Sequence, residues 1–231
     1  MNYLIFENFL EKIDLKKYRD QYRPIKLVEM DLPKEIQAIE MLYKVYWKEK
    51  NLLDFETFYK VYLKTYQEQI EAFRKKITMC QDCFYRGLPA RIYRTWASLI
   101  TQIHAGYVAD SVFGEGSVDM STQLDHNGAD FQVKYKNKIL NYQVKKETFS
   151  REVRRGKEVK NKIYGEFINI NYDVPSEDYF TNPKKLNGEF KLPYLRFMEN
   201  KNLRRLKNGF VVFTTIVFET VKKEYGHSSI N

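Results

Sequence analysis

Two short runs near the middle of the chain constrain its fold most, because apolar and polar residues alternate in them with a period of two. The runs cover residues 129–136 and 139–147. Alternation of this kind is typical of β-strands that bury one face. A two-residue turn at Asn137-Lys138 would join the runs into an antiparallel hairpin that pairs Lys136 with Ile139. We therefore expect a half-buried hairpin at this place.

The predicted hairpin carries its polar side chains on one face. Its apolar face would consist of Phe131, Val133, Tyr135, Leu140, Tyr142 and Val144. On the polar face, the predicted register places Asp130 directly opposite Lys145 and Gln132 opposite Gln143. A slip of one residue would turn these polar side chains into the core, so the alternation itself restricts the register.

An acid facing a lysine suggests metal-dependent phosphodiester cleavage. This reaction needs oxygen ligands for a divalent cation and a group that orients water beside an anionic backbone. Asp130 could bind Mg2+ through its carboxylate, with further oxygens from the main-chain carbonyl of Val144 and the side chain of Gln143. Lys145 could orient the attacking water and offset developing charge. The alternative is an ordinary sheet edge, on which Asp130 and Lys145 form a surface ion pair that contributes about 0–1 kcal/mol.

The positive charge of the chain is concentrated in two segments. The net charge is +9, yet residues 1–60 contain 11 basic and 11 acidic side chains. Residues 145–162 contain eight basic and three acidic side chains, and residues 184–207 contain eight and two. Clusters of this kind favour a polyanionic partner, because lysine and arginine release counterions from a phosphate backbone. A solvated basic face is the alternative interpretation.

The first hundred residues are predicted to be mainly helical. Helices are expected at about residues 3–12 and 33–48, after Asp54 as an N-cap, and from Pro89 in a first turn to about residue 107. The last of these has an apolar stripe formed by Ile92, Trp96, Leu99, Ile100, Ile103 and Tyr107. Arg91 and Arg94 would lie away from the centre of this stripe.

The segment after the hairpin is predicted to form a strand at residues 166–171, a helix at about 194–206 and a strand at 210–215, with Asn208-Gly209 ending the helix. The expected fold class is α/β, a mixed sheet flanked by helices with a helical N-terminal elaboration. We expect a single domain over residues 1–231, in which residues 1–108 are mainly helical and residues 109–231 carry the catalytic sheet and the DNA-reading part.

Several segments outside the hairpin resemble the TaqI family of type II restriction endonucleases. The similar segments are residues 21–35, 87–95 with Thr101-Gln102, 124–130, 143–148 and 208–213. They occur in family order over nearly the whole chain. The resemblance implies a nuclease of the PD-(D/E)XK type that cuts duplex DNA at the palindrome TCGA with Mg2+.

The same resemblance assigns roles to individual residues. Asp130 matches the metal-binding aspartate, Asp125 matches a second acidic position, and Lys145 matches the lysine of the acid-x-lysine element. Gln143 stands where nucleases of this type usually have an acid, and its neutral amide lowers the ligand charge. Lys146 should point to the opposite face of the strand, which suggests packing or a contact with the DNA backbone.

Base recognition is expected close to the catalytic strand. Arginine recognises guanine at O6 and N7, and asparagine recognises adenine at N6 and N7. Arg151, Arg154, Arg155 and Asn161 follow the catalytic strand and are the candidates for contacts with bases or phosphates.

A palindromic site favours a two-fold homodimer, although sequential nicking by a monomer is an alternative. A methyltransferase of matching specificity is expected as a genetic partner only, because the host must protect its own sites. No apolar run approaches about 20 residues and the N-terminus lacks a signal-peptide pattern, so we expect a cytoplasmic protein without a membrane partner.

Two other functions are compatible with the same residues. A junction or repair nuclease would share the catalytic hairpin but ignore the palindrome. A DNA-binding protein without catalytic activity would use Asp130 and Lys145 as a structural pair, and a basic structural protein is a more distant third possibility.

Overall fold

The computed structural model describes residues 1–22, 32–146 and 163–227. The N-terminal half is helical and contains α1 (Tyr3–Glu11), α2 (Leu15–Gln21), a 3-10 turn (Lys34–Ile36), α3 (Ala38–Leu42) with its π-helical continuation (Tyr43–Lys48), α4 (Phe55–Lys76) and α5 (Gln81–Phe113). The C-terminal half contains β1 (Val118–Asp119), α6 (Thr122–His126), β2 (Phe131–Tyr135), β3 (Lys138–Lys146), β4 (Glu166–Tyr172), α7 (Glu177–Thr181), α8 (Leu192–Glu199), β5 (Leu203–Arg205), β6 (Val211–Phe213) and α9 (Ile216–His227).

Four strands form one mixed sheet in the order β1-β2-β3-β4. β1, β2 and β3 pair antiparallel, whereas β3 and β4 run parallel. A separate antiparallel pair consists of β5 and β6. The predicted fold class, a mixed α/β sheet flanked by helices with a helical N-terminal part, is confirmed.

The predicted hairpin is confirmed, but its predicted register is wrong by two positions. Tyr135 pairs with Lys138, so the turn consists of Lys136 and Asn137. Lys136 occupies the first turn position with a φ of +53°. A positive φ is uncommon for lysine, so the sequence did not predict a turn at this residue. Moving the turn by one residue changes every partner by two, so the polar and apolar faces are preserved.

Helix α5 begins eight residues before the predicted start at Pro89. Cys80 is the N-cap, and its Sγ accepts a hydrogen bond from the main-chain N–H of Cys83 at 3.2 Å. Pro89 therefore lies inside the helix, where it removes one main-chain hydrogen bond. Its neighbours Leu88 and Ala90 are buried, and this packing outweighs the local cost. The predicted apolar stripe from Ile92 to Tyr107 is confirmed, because all of its members are buried.

The predicted helix at residues 194–206 is wrong in its second half. Helix α8 ends at Glu199, and the following residues form β5, which pairs with β6. Asn208 and Gly209 thus lie in the connection between two strands instead of ending a helix. The side-chain amide of Asn208 donates to the carbonyl oxygens of Leu10 and Ile13 at 2.7 and 2.9 Å, which connects this turn to the region of α1.

Aromatic side chains form much of the helical core, and others pack against the sheet. The indole N–H of Trp96 donates to the hydroxyl of Tyr46 at 2.8 Å. On the apolar face of the sheet, Phe218 of α9 packs against Phe131 and Tyr142, with ring centroids 6.2 and 5.7 Å apart. The buried carboxylate of Glu7 contacts both His104 of α5 and Arg204 of β5.

Within the described ranges, none of the helices combines the length and the apolar character that a membrane span requires.

Candidate active site

Asp130 lies immediately before β2 and is held by three hydrogen bonds. Its main-chain N–H donates to the carbonyl oxygen of Tyr142 at 2.8 Å. Its Oδ2 accepts from the main-chain N–H of Val144 at 2.6 Å, and its Oδ1 accepts from Nε2 of Gln102 on α5 at 2.9 Å. Only 7% of Asp130 is exposed. The hairpin and α5 together therefore fix the orientation of this carboxylate.

The surroundings of Asp130 disfavour an unpaired negative charge. Burial raises the pKa of its carboxyl to about 7, and the hydrogen bond from Val144 opposes this shift. The charge of Asp125 raises the same pKa further, whereas the charge of Lys145 lowers it. A carboxylate that is desolvated beside a second acid gains most from a bound cation.

Asp125 is supplied by the short helix α6. Ser121 caps this helix by accepting a hydrogen bond from the N–H of Leu124 at 3.3 Å. Gly128, with a φ of +89°, turns the chain from α6 towards β2. Burial raises the pKa of Asp125, and the charge of His126 acts in the opposite direction. The structure thus brings the two predicted acids to one place.

Lys145 does not face Asp130 directly, which corrects the predicted pairing. In the observed register, Phe131 pairs with Tyr142. Extending this register by one position places Asp130 opposite Gln143, and Lys145 lies two positions farther along β3. Gln143 is partly exposed and Lys145 is exposed. The predicted polar face is retained, and the charge of Lys145 acts on the carboxyl of Asp130.

Lys146 belongs to a different part of the surface. It pairs with Tyr172 of β4. Together with Thr101 of α5, these residues line a cavity of about 330 Å³. The expectation that Lys146 points away from Lys145 agrees with this position.

Gln102 and Tyr43 contribute to the site, although the strand pattern could not identify them. Oε1 of Gln102 and the hydroxyl of Tyr43 are buried and have no hydrogen-bond partner among the described residues. Burial raises the pKa of Tyr43, with smaller contributions from Asp125 and Asp130. The only sequence signal for Gln102 was its place in one of the segments that resemble the TaqI family.

The donor set suits a hard cation that keeps part of its water shell. Among the described residues, no three histidine, cysteine, aspartate or glutamate side chains converge on one point. Asp125 and Asp130 provide two carboxylates, and the unpartnered Oε1 of Gln102 is a neutral oxygen beside them. Mg2+ binds through one or two carboxylates and retains water, so these residues fit it.

The proposed base-reading residues Arg151, Arg154, Arg155 and Asn161 lie outside the described residues.

Comparisons with known proteins identify the family of the chain. The sequence model described as TaqI restriction endonuclease matches residues 4–224. The type II restriction enzyme TthHB8I of Thermus thermophilus is 33% identical over 216 residues, which are 90% of this chain and 82% of that enzyme. The type II restriction enzyme TaqI of Thermus aquaticus is 34% identical over 218 residues, with coverages of 90% and 82%. No solved structure matches the chain significantly. The chain belongs to the TaqI family of type II restriction endonucleases, which are site-specific deoxyribonucleases.

Proposed function

We propose that this enzyme hydrolyses both strands of duplex DNA at the palindrome TCGA and that it requires Mg2+. The observation that carries the proposal is the environment of Asp130. Burial raises the pKa of this carboxyl to about 7, and the group lies beside a second acid and a lysine where the central strands β2 and β3 pair. Such a grouping is costly for folding without a cation and suits phosphodiester cleavage with one.

Each residue of the site has a separate role in this proposal. Asp130 and Asp125 hold the cation, and Gln143 and the carbonyl of Val144 are the proposed neutral ligands. The hydrogen bonds from Val144 and Gln102 keep the carboxylate of Asp130 in place before DNA binds. Lys145 orients the attacking water and compensates the charge that develops on the phosphate oxygens. When bound, Mg2+ supplies Lewis-acid stabilisation of those oxygens.

Sequence recognition is proposed for the segment that follows β3. Arg151, Arg154, Arg155 and Asn161 supply contacts to bases and phosphates next to the cut, and Lys146 contacts the DNA backbone. The specificity for TCGA comes from the family resemblance, which covers most of the chain. A host that contains this enzyme needs a methyltransferase of the same specificity as a genetic partner. Two copies of the chain, related by a two-fold axis, match the symmetry of the palindrome.

One digestion experiment tests activity, metal requirement and specificity together. Unmethylated plasmid is incubated with the purified protein and either Mg2+ or EDTA, and the ends of the products are sequenced. We expect discrete fragments that end within TCGA, only in the presence of Mg2+. Nicks that follow DNA junctions instead of a sequence would support a repair or junction nuclease.

The variant Lys145→Ala separates an enzyme from a DNA-binding protein without activity. We expect wild-type DNA affinity within a few fold and a loss of cleavage rate of about 100-fold or more, because the charge acts mainly in the transition state. Lys134→Ala is the matched control, since Lys134 is also exposed on the same hairpin but lies at the other end of β2. Equal cleavage rates for both variants would contradict the proposed role of Lys145.

A further inference from the structure

A polar cavity beside Asp130 is lined mainly by one face of α5. Its volume is about 290 Å³. The polar residues that line it are Arg91, Arg94, Thr95, Ser98, Gln102 and Asp125. The sequence pattern had placed Arg91 and Arg94 only away from the apolar centre of the helix. In the structure, Arg91 and Arg94 line the same cavity as Asp125, an acid of the candidate active site.

The spacing of these residues along α5 forms a continuous stripe. Residues 91, 95, 98 and 102 follow each other at intervals of four, three and four, which places them on one face of a helix. At a rise of about 1.5 Å per residue, Arg94 lies roughly 12 Å along the helix axis from Gln102. The stripe therefore leads from the hydrogen bond between Gln102 and Asp130 to the two arginines.

The lining of the cavity carries both signs of charge. Gln102 contacts Asp130 and lines the cavity together with Asp125, whereas Arg91 and Arg94 occupy positions about two to three helical turns earlier on α5. Arg91 is oriented by a hydrogen bond from its Nη1 to Oγ1 of Thr95 at 2.7 Å. Both arginines are partly exposed. In a DNA strand, further phosphates flank the one that is cut. A cation held by the acids and two arginines farther along α5 would match such a row of phosphates.

We propose that Arg91 and Arg94 bind backbone phosphates next to the scissile phosphate, on the strand that is cut at the site of Asp130. This inference rests on the proposed function and specifies how the described part of the chain holds its substrate. The contact positions DNA without reading its sequence. It is independent of the residues proposed for base recognition, which follow β3.

The test is the salt dependence of DNA binding, which requires no cleavage. Affinity for a duplex with one TCGA site is measured in EDTA by fluorescence anisotropy at several KCl concentrations. For Arg91→Gln and Arg94→Gln, we expect affinity to fall about tenfold and the slope of log K against log[KCl] to become shallower by about 0.9 for each lost phosphate contact. Arg86→Gln is the matched control, because Arg86 is an exposed arginine of the same helix.

A second measurement locates the contact and does not depend on comparing absolute affinities. Single phosphates near the cut are replaced one at a time by neutral methylphosphonates. We expect at least one replacement to weaken binding of the wild-type protein and of Arg86→Gln, but not of Arg94→Gln. The proposed phosphate contact would be wrong if the variants had the wild-type slope of log K against log[KCl]. It would also be wrong if each methylphosphonate weakened the binding of all proteins equally. If a Gln variant fails to fold, Arg91→Met or Arg94→Met replaces it, because methionine removes the charge but keeps much of the aliphatic stem. An unchanged methylphosphonate penalty profile in that variant again contradicts the proposal.

Failure of this inference can be distinguished from failure of the proposed function. If the protein cuts at TCGA with Mg2+ but the variants show the wild-type slope of log K against log[KCl], only the proposed phosphate contact is wrong. If the variants bind DNA with shallower slopes but the wild-type protein does not cut with Mg2+, the proposed reaction is wrong and the phosphate contact is supported.

Discussion

The carboxyl of Asp130 links catalysis to stability at the scale of a single residue. It is needed for the proposed reaction, yet its burial raises its pKa to about 7. The folded protein therefore binds this proton more tightly than the unfolded chain does. In the absence of metal, the contribution of this group to the free energy of unfolding decreases as the pH rises from about 4 to about 7 and then levels off.

Replacing this aspartate by asparagine should separate the two effects. We expect Asp130→Asn to lose cleavage and, at pH 8 in EDTA, to be more stable than wild type by roughly 1 to 3 kcal/mol, since the neutral amide avoids the cost of charge burial but loses part of the hydrogen bonding. Most of the gain should disappear near pH 4, where the folded wild-type carboxyl is protonated and therefore as neutral as the amide. Chemical denaturation at a series of pH values measures it.

Two controls make this prediction specific. Asp119→Asn changes an exposed acid of β1 and should alter neither stability nor cleavage. Mg2+ should raise the Tm of the wild-type protein but not that of Asp130→Asn, because only a ligand that binds the folded state stabilises it. The same Mg2+-dependent rise in both proteins would mean that the cation binds elsewhere.

At the scale of elements, the position of β3 depends on a close approach at the start of β4. Gly165 has a φ of +120°, and a Cβ at this position would lie 2.6 Å from the carbonyl oxygen of Ile139. The buried side chain of Asn141 completes the junction, since it accepts a hydrogen bond from Gln132 at 2.8 Å and donates to the carbonyl oxygen of Tyr164 at 3.1 Å. The strand that carries Gln143 and Lys145 is thereby connected to both of its neighbours.

Gly165→Ala should therefore be much more damaging than an alanine at a comparable glycine. We expect a loss of roughly 2 to 4 kcal/mol for Gly165→Ala, because backbone strain and overpacking add. Gly188 has a φ of +85° but no atom within 4 Å of a Cβ, so Gly188→Ala should cost only about 1 kcal/mol from strain. Equal losses, measured by urea denaturation, would contradict the importance of the contact with β3.

The same elements show which features a sequence can predict. Alternation in β2 and β3 and the stripe of α5 depend on the burial of one face, and both were predicted correctly. The turn at Lys136, the continuation of α5 through Pro89 and the strand β5 were not, because each of them depends on contacts with distant residues that outweigh local preference. Asn208, for example, hydrogen-bonds to residues almost two hundred positions earlier in the chain.

At the scale of the whole molecule, the candidate site is assembled from three separate parts of the chain. Asp125 of α6, Asp130 immediately before β2 and Lys145 of β3 could be proposed from one short stretch. Gln102 and Tyr43 come from the helical half, and a linear pattern does not report how that half is oriented against the sheet. The helical part is therefore part of the catalytic machinery in our proposal, since α5 orients Asp130.

The symmetry of the proposed target leads to a prediction about the assembly. A two-fold dimer would place one Asp130 site on each strand of TCGA, so both strands would be cut during one binding event. On a supercoiled plasmid with a single site, we expect linear product without prior accumulation of open circles. Sedimentation in the presence of this DNA and Ca2+ should show two chains of 27.8 kDa per site.

Mixing active and inactive chains tests the dimer directly. Wild-type protein is combined with an excess of Asp130→Asn under conditions that allow subunit exchange. Because a mixed dimer carries one working site, it should nick only one strand, and open circles should become the main early product. A monomer that nicks the strands in sequence would already accumulate open circles on its own, and the inactive chains would slow it without changing the order of its products. Linear product as the main early species in the mixture would therefore contradict a dimer with one site for each strand.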